Sequence, residues 1–177
     1  LIYAVGTTYG PEGPDSDRPG NDLMAQAAGG LAWNTGTPEL AQGAGALVAD
    51  TMGGMTLFGA IVTALFAREK SGVGQLVETS LLGGQIWAQS SELMAHVLAE
   101  TQHERSQRTY PWLSSISPIS IYQAKDGYVA LSGVPIRWED FWNALGQADL
   151  AANQILRAGP ERLRQNDLIT KAISEVF

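Results

Sequence analysis

Residues 46–54 read Ala46-Leu47-Val48-Ala49-Asp50-Thr51-Met52-Gly53-Gly54. A short apolar run, Ala46–Ala49, read as a strand, delivers a lone carboxylate to the start of a helix, and two glycines follow closely. Downstream, Met55, Phe58, Ile61, Val62, Leu65 and Phe66 recur at helical spacing, which predicts a buried helix. Arg68 and Lys70 fall in its last turn, where cations suit the negative end of the helix dipole. Ser71-Gly72-Val73-Gly74 reads as a stop and a turn. Gln75–Ser80 then has strand character, and a long helix is expected from Leu81 to about Glu100.

Upstream of the quoted stretch, Leu1–Val5 reads as a buried strand. Gly6–Gly20, with Pro11, Pro14 and Pro19, reads as an irregular loop. Asn21 or Asp22 can cap a helix through Leu23, Met24, Ala27 and Ala28 that stops at Gly29-Gly30. Leu31–Thr35 is expected as a short strand and Gly36–Gly45 as loop. The polar stretch Thr101–Arg108 lacks apolar periodicity and reads as a linker, which places a boundary between residues 1–104 and 105–177. Beyond it, Ile119–Gln123 and Tyr128–Ser132 flank Lys125-Asp126-Gly127, a hairpin signature. Trp138–Leu145 and Pro160–Phe177 are predicted helices. The first residues lie in a strand without a starting Met, and the last in an uncapped helical pattern. Both ends are therefore expected to be interior to a longer chain.

Composition removes several classes of function. The net charge is −7, against nucleic-acid binding through a broad basic surface. There is no cysteine, so disulfides, thiolate catalysis and thiolate metal sites are excluded; this usage is what a cytoplasmic protein would show. His96 and His103 are the only histidines, and no metal centre is expected. The run Met55–Phe66 is shorter than the roughly 20 residues that span a bilayer, so no membrane partner is expected.

Asp50 admits two readings. As an N-cap it would stabilise its helix by about 1 kcal/mol. As an ionised carboxylate held at the positive end of a helix it would be a covalent nucleophile, with Gly53-Gly54 letting a bulky thioester approach. The two do not exclude each other. Gly72-Val73-Gly74 lacks the further glycine and following helix of a nucleotide fingerprint and is read as a turn. His96, among Leu93, Val97 and Leu98, reads as structural, and His103 as solvated. Tyr110, Trp112, Trp138 and Trp142 either line an acyl pocket or pack a small domain.

Four blocks together carry a resemblance. Asp17-Arg18-Pro19-Gly20-Asn21-Asp22-Leu23-Met24-Ala25-Gln26-Ala27 resembles the RPGFDxxxQA stretch of class III CoA-transferases. Val48–Gly54 resembles that family's segment around its nucleophilic aspartate. Arg68-Glu69-Lys70-Ser71-Gly72-Val73-Gly74-Gln75-Leu76-Val77-Glu78 matches its R-x-(K/R)-(S/T)-G-x-G-Q-x-V-(D/E) pattern. Tyr122–Leu131 is similar to the hairpin of its smaller domain.

The resemblance implies an α/β fold: part of a doubly wound, Rossmann-like large domain within residues 1–104, and an incomplete smaller α+β domain from 105. It also implies an interlocked homodimer. It implies transfer of CoA from an acyl-CoA to a carboxylic acid through an anhydride and a thioester on Asp50. Gly6, Thr7 and Leu81 would contact coenzyme A, although a core leucine explains Leu81 equally well. The glycines around Gly6 and Gly53-Gly54 would offer backbone donors to the oxyanion. Acyl-CoA and a carboxylic acid are the implied substrates, and the fragment alone is expected to be inactive.

Two departures bear on this. Alpha-methylacyl-CoA racemases, a related branch, usually carry His-Asp where this chain has Asn21-Asp22. Asn21 cannot exchange a proton, so transfer is favoured over racemisation. The segment Tyr110-Pro111-Trp112-Leu113-Ser114-Ser115-Ile116 lacks the glycines often found before the hairpin in this family. A non-catalytic fragment that kept the fold is the remaining alternative.

Overall fold

The computed structural model describes residues 1–37, 39–98, 120–132 and 137–177, with no side-chain description at 159 and 163. The linker Thr101–Arg108, His103 and the segment Tyr110–Ile116 lie outside the described residues. The chain divides into two compact units, Leu1–Arg105 and Ser106–Phe177.

In the first unit, β1 (Tyr3–Thr7) and β2 (Leu76–Ser80) pair in parallel, from Tyr3 opposite Leu76 to Thr7 opposite Ser80. Between them run α1 (Asp22–Ala28), α2 (Leu31–Thr35) and α3 (Val48–Ser71). After β2 come α4 (Leu81–Ala88) and α5 (Ser90–Leu98). Asn21 caps α1 as expected, its side chain accepting from the Met24 N–H at 3.2 Å. Gly72 ends α3 in the left-handed conformation, φ +75°, and its N–H returns to Arg68 O at 2.7 Å. A residue with a Cβ is strained there, which is why the stop signal is a glycine.

Packing between α3 and α4 depends on two small residues. A Cβ on Gly84 would lie 2.6 Å from the Gly53 nitrogen, and one on Gly53 would lie 2.7 Å from Leu81 Cδ2. The helix backbones meet because both side chains are absent.

Several expectations are corrected. Leu31–Thr35 is helical, because left-handed Gly30 (φ +84°) restarts a helix immediately after α1. Residues 46–49 form no strand: α3 already begins at Val48. The long helix from Leu81 breaks at Gln89, whose buried side chain donates to Gly29 O and accepts from Asn34 Nδ2 at 3.1 Å. Those two tertiary bonds hold Gln89 at φ −111°, outside helical geometry. Leu1–Val5 is not buried, and within Met55–Phe66 only Ala64 is. Tyr3 is 64% exposed, and Phe58 and Phe66 are 62% and 66% exposed. Of α3 only Ala49, Gly53 and Ala64 are buried, since the chain's own elements cover one stripe of it. The whole of α3 is also longer than its apolar run. At 24 residues it is long and apolar enough, by length and composition, to cross a membrane.

In the second unit, β3 (Ser120–Ala124) and β4 (Gly127–Leu131) form an antiparallel hairpin. Lys125-Asp126 make its turn, and Gly127 already pairs with Ala124, one position from the Asp-Gly centre expected. There follow α6 (Trp138–Ala144), α7 (Ala148–Ala152), a 3-10 turn at Ile155–Arg157, α8 (Gly159–Arg164) and α9 (Asn166–Ser174). The single helix expected over Pro160–Phe177 is interrupted at Gln165, φ −108° and ψ 24°. Tyr122, Trp138, Trp142, Ala151, Leu156, Ile169, Ala172 and Ile173 form one core. Trp138 and Trp142 meet edge to face at 5.4 Å, and the Trp138 indole N–H donates to Leu150 O. Both tryptophans are packing residues.

Candidate active site around Asp50

Asp50 is the third residue of α3, not its N-cap. Leu47 holds the cap position and offers no side-chain bond. The cap comes from α1: the Asp50 N–H donates to Asp22 Oδ1 at 3.0 Å. Asp22 is buried, and its Oδ2 accepts from Gln26 Nε2 at 2.5 Å. Gln26, itself buried, also donates to Ala46 O at 3.2 Å and accepts from the Ala44 N–H at 2.8 Å. A buried carboxylate is tolerable because it is fully hydrogen-bonded and sits at the positive end of a long helix.

Asp50's own carboxylate is in the opposite condition. It is exposed, and no described residue hydrogen-bonds or ion-pairs with it. Two acids therefore share the start of α3, one buried and committed to structure, the other exposed and uncommitted. This removes the N-cap reading of Asp50.

The expected glycine donors are not found on α3. Gly53 and Gly54 lie inside the helix, where backbone N–H groups serve the i→i−4 ladder. In the first turn, Val48 N–H bonds Ala46 O and Thr51 N–H bonds Leu47 O. Gly53 serves the helix contact, while Gly54 faces open space, with nothing within 4 Å of a Cβ built there.

The expected CoA contacts gather at one end of the unit. Thr7 ends β1 opposite Ser80, and its Oγ1 accepts from the Gly10 N–H at 2.9 Å, closing the turn after the strand. Gly6 pairs with Thr79, and a Cβ there would lie 3.5 Å from Leu57 of α3. Leu81 opens α4, half-buried against Gly53, one turn beyond Asp50. The Leu82 N–H donates to Thr8 O at 3.0 Å, joining α4 to the end of β1. Thr7, Leu81 and Asp50 thus lie around the C-terminal ends of two parallel strands, the usual ligand edge of α/β sheets. His96 is exposed on α5, not a core position. No group of three or more potential metal-ligating side chains occurs among the described residues.

Sequence reasoning misses Gln26 as the brace of Asp22. The spacing of four residues on one helix is the signal that would have found it.

The family model for CoA-transferase family III matches residues 1–177. The chain belongs to CoA-transferase family III. It is 26% identical to the acetyl-CoA:oxalate CoA-transferase of Acetobacter aceti, over all of this chain and 46% of that protein. It is 28% identical to the succinyl-CoA:glutarate CoA-transferase of Homo sapiens, over all of this chain and 40% of that one. The crystal structure of a CAIB/BAIF family protein from Brucella suis superposes with a TM-score of 0.80 at 26% identity, covering 99% of this chain and 46% of that one. The family III chain thus has the mixed α/β architecture of that structure and spans less than half the length of the relatives it matches.

Proposed function

We propose that the full-length protein transfers CoA from an acyl-CoA to a carboxylic acid, with Asp50 as the nucleophile. The observation that carries this reading is the free, exposed carboxylate of Asp50 on a helix whose cap is supplied by Asp22. Relatives named for CoA transfer between acids support the reaction class.

The chain of events balances without ATP. An Asp50 oxygen attacks the thioester carbonyl, the C–S bond breaks, and CoA thiolate leaves a mixed anhydride. The thiolate attacks the Asp50 carbonyl carbon, the first carboxylate departs, and Asp50 becomes a CoA thioester. The acceptor carboxylate attacks that thioester, giving a second anhydride and thiolate. Attack of the thiolate on the new acyl carbonyl yields the product ester and restores Asp50. Thr7, Gly6 and Leu81 are read as the edge against which coenzyme A lies. No metal takes part.

The architecture is read as part of a doubly wound large domain in an interlocked homodimer, and the protein as cytoplasmic and free of membrane. Support for the dimer comes from the row Met55, Phe58, Val62 and Phe66 on α3, large apolar side chains that this chain's own elements leave exposed. Support for a packed, non-spanning α3 comes from its close approach to α4 at Gly53 and Gly84.

Racemisation is disfavoured by Asn21, whose side chain is engaged in capping α1. The test is a transfer assay on the full-length protein in deuterated water. New acyl-CoA that forms only with an acceptor acid, carries no α-deuterium and is lost in Asp50→Ala supports transfer. Deuterium uptake without acceptor would overturn it in favour of an isomerase.

A further inference from the structure

We infer that Asp22 and Gln26 form a positioning pair that sets the Asp50 backbone for attack. This inference rests on the reading of Asp50 as nucleophile. Asp22 holds the very amide of the reacting residue at 3.0 Å. Gln26 ties Asp22 to the segment entering α3 through Ala44 and Ala46. The pair thus links α1, the entry segment and the first turn of α3, and it leaves Asp50's carboxylate unengaged.

The polarity of the network admits one arrangement. Ala44 N–H can only donate, so the glutamine oxygen must face it. The glutamine NH2 then faces Asp22 and Ala46 O, both of which must accept. Asp22 must therefore be acceptor-only at both oxygens, which an ionised carboxylate is and an asparagine is not. In Asp22→Asn, the asparagine oxygen can still accept from the Asp50 N–H, but its NH2 then meets the NH2 of Gln26. Flipping Gln26 only moves the donor–donor conflict to Ala44. A partial compensation exists: in Asp22→Asn with Gln26→Glu, the asparagine NH2 donates to the glutamate, whose other oxygen accepts from Ala44, while Ala46 O loses its donor.

The test is the rate at which Asp50 forms its covalent acyl-CoA adduct in the full-length protein, per folded molecule. Binding of the same acyl-CoA is measured in parallel. Asp22→Asn is expected to slow adduct formation by roughly tenfold or more, because small displacements of a reacting group are costly. Its dissociation constant should stay within about twofold, the split expected of a loss felt in the transition state. The double variant is expected to recover part of the rate lost in Asp22→Asn, since it restores the bond at residue 22 but not the one to Ala46 O. Gly72→Ala, at the far end of α3, serves as the stability control: it should lower Tm and leave the rate unchanged. If Asp22→Asn does not fold, Gln26→Met takes its place and must also slow the adduct. A wild-type rate in the folded Asp22→Asn or Gln26→Met protein overturns the positioning role while leaving the nucleophile reading intact. No adduct in the wild type overturns both.

Discussion

The backbone N–H of Asp50 donates to the buried carboxylate of Asp22, 28 residues earlier in the chain, at 3.0 Å. One acid stabilises the helix, and the other stands in solvent. Their substitutions should therefore separate. Asp50→Ala is expected to change stability by less than about 1 kcal/mol, the scale of a dipole interaction at an exposed site. Asp22→Ala is expected to cost about 1.5–3 kcal/mol, the scale of hydrogen bonds to a charged group. Urea unfolding of both variants in the full-length protein checks this ordering.

Gly84→Ala places a methyl group 2.6 Å from the Gly53 nitrogen, so the α3 and α4 backbones must separate. The expected destabilisation is about 1–3 kcal/mol, as for other overpacked contacts. Gly54→Ala, with nothing within 4 Å of the new methyl, is expected to be neutral or slightly stabilising through helix propensity. Thermal unfolding of the two side by side distinguishes close approach from glycine content as such.

Gly72→Ala forces a Cβ into the left-handed conformation at φ +75°. The cost should be about 1–2 kcal/mol, read from the denaturation midpoint.

The second unit has its own core, in which Trp142 is fully buried. Trp142→Ala is expected to cost about 3–5 kcal/mol. Tyr128, 76% exposed on β4, should tolerate alanine within about 0.5 kcal/mol. Unfolding followed by tryptophan fluorescence measures both.

What is legible in the sequence depends on the range of the interaction that fixes it. The Asn21 cap and the Gly72 stop are readable because each is decided within one helical turn. The strand expected at Leu31–Thr35 fails because a left-handed Gly30 restarts the helix, and apolar content alone does not separate the two states. The break at Gln89 is invisible locally, since Gly29 and Asn34 impose it from elsewhere in the chain. The burial expected for Met55–Phe66 fails for a related reason: periodicity shows that one stripe will be covered, not that these elements cover all of it. At the site, the family resemblance is what singles out Asp50, while the capping role that its position suggests belongs to Asp22, because the true cap is a tertiary contact. The brace on Asp22 was within reach, as Gln26 follows it at the i,i+4 spacing.

The central claim is that Asp50 is the residue that takes the acyl group and then CoA. Its most direct test is intact-protein mass on the full-length protein after mixing with a panel of acyl-CoA esters, with hydroxylamine quenching and peptide mapping. The account predicts a mass change at Asp50 with at least one ester, abolished in an Asp50→Ala protein that still folds and binds CoA. Binding of CoA esters with no adduct at Asp50 from any of them would contradict it.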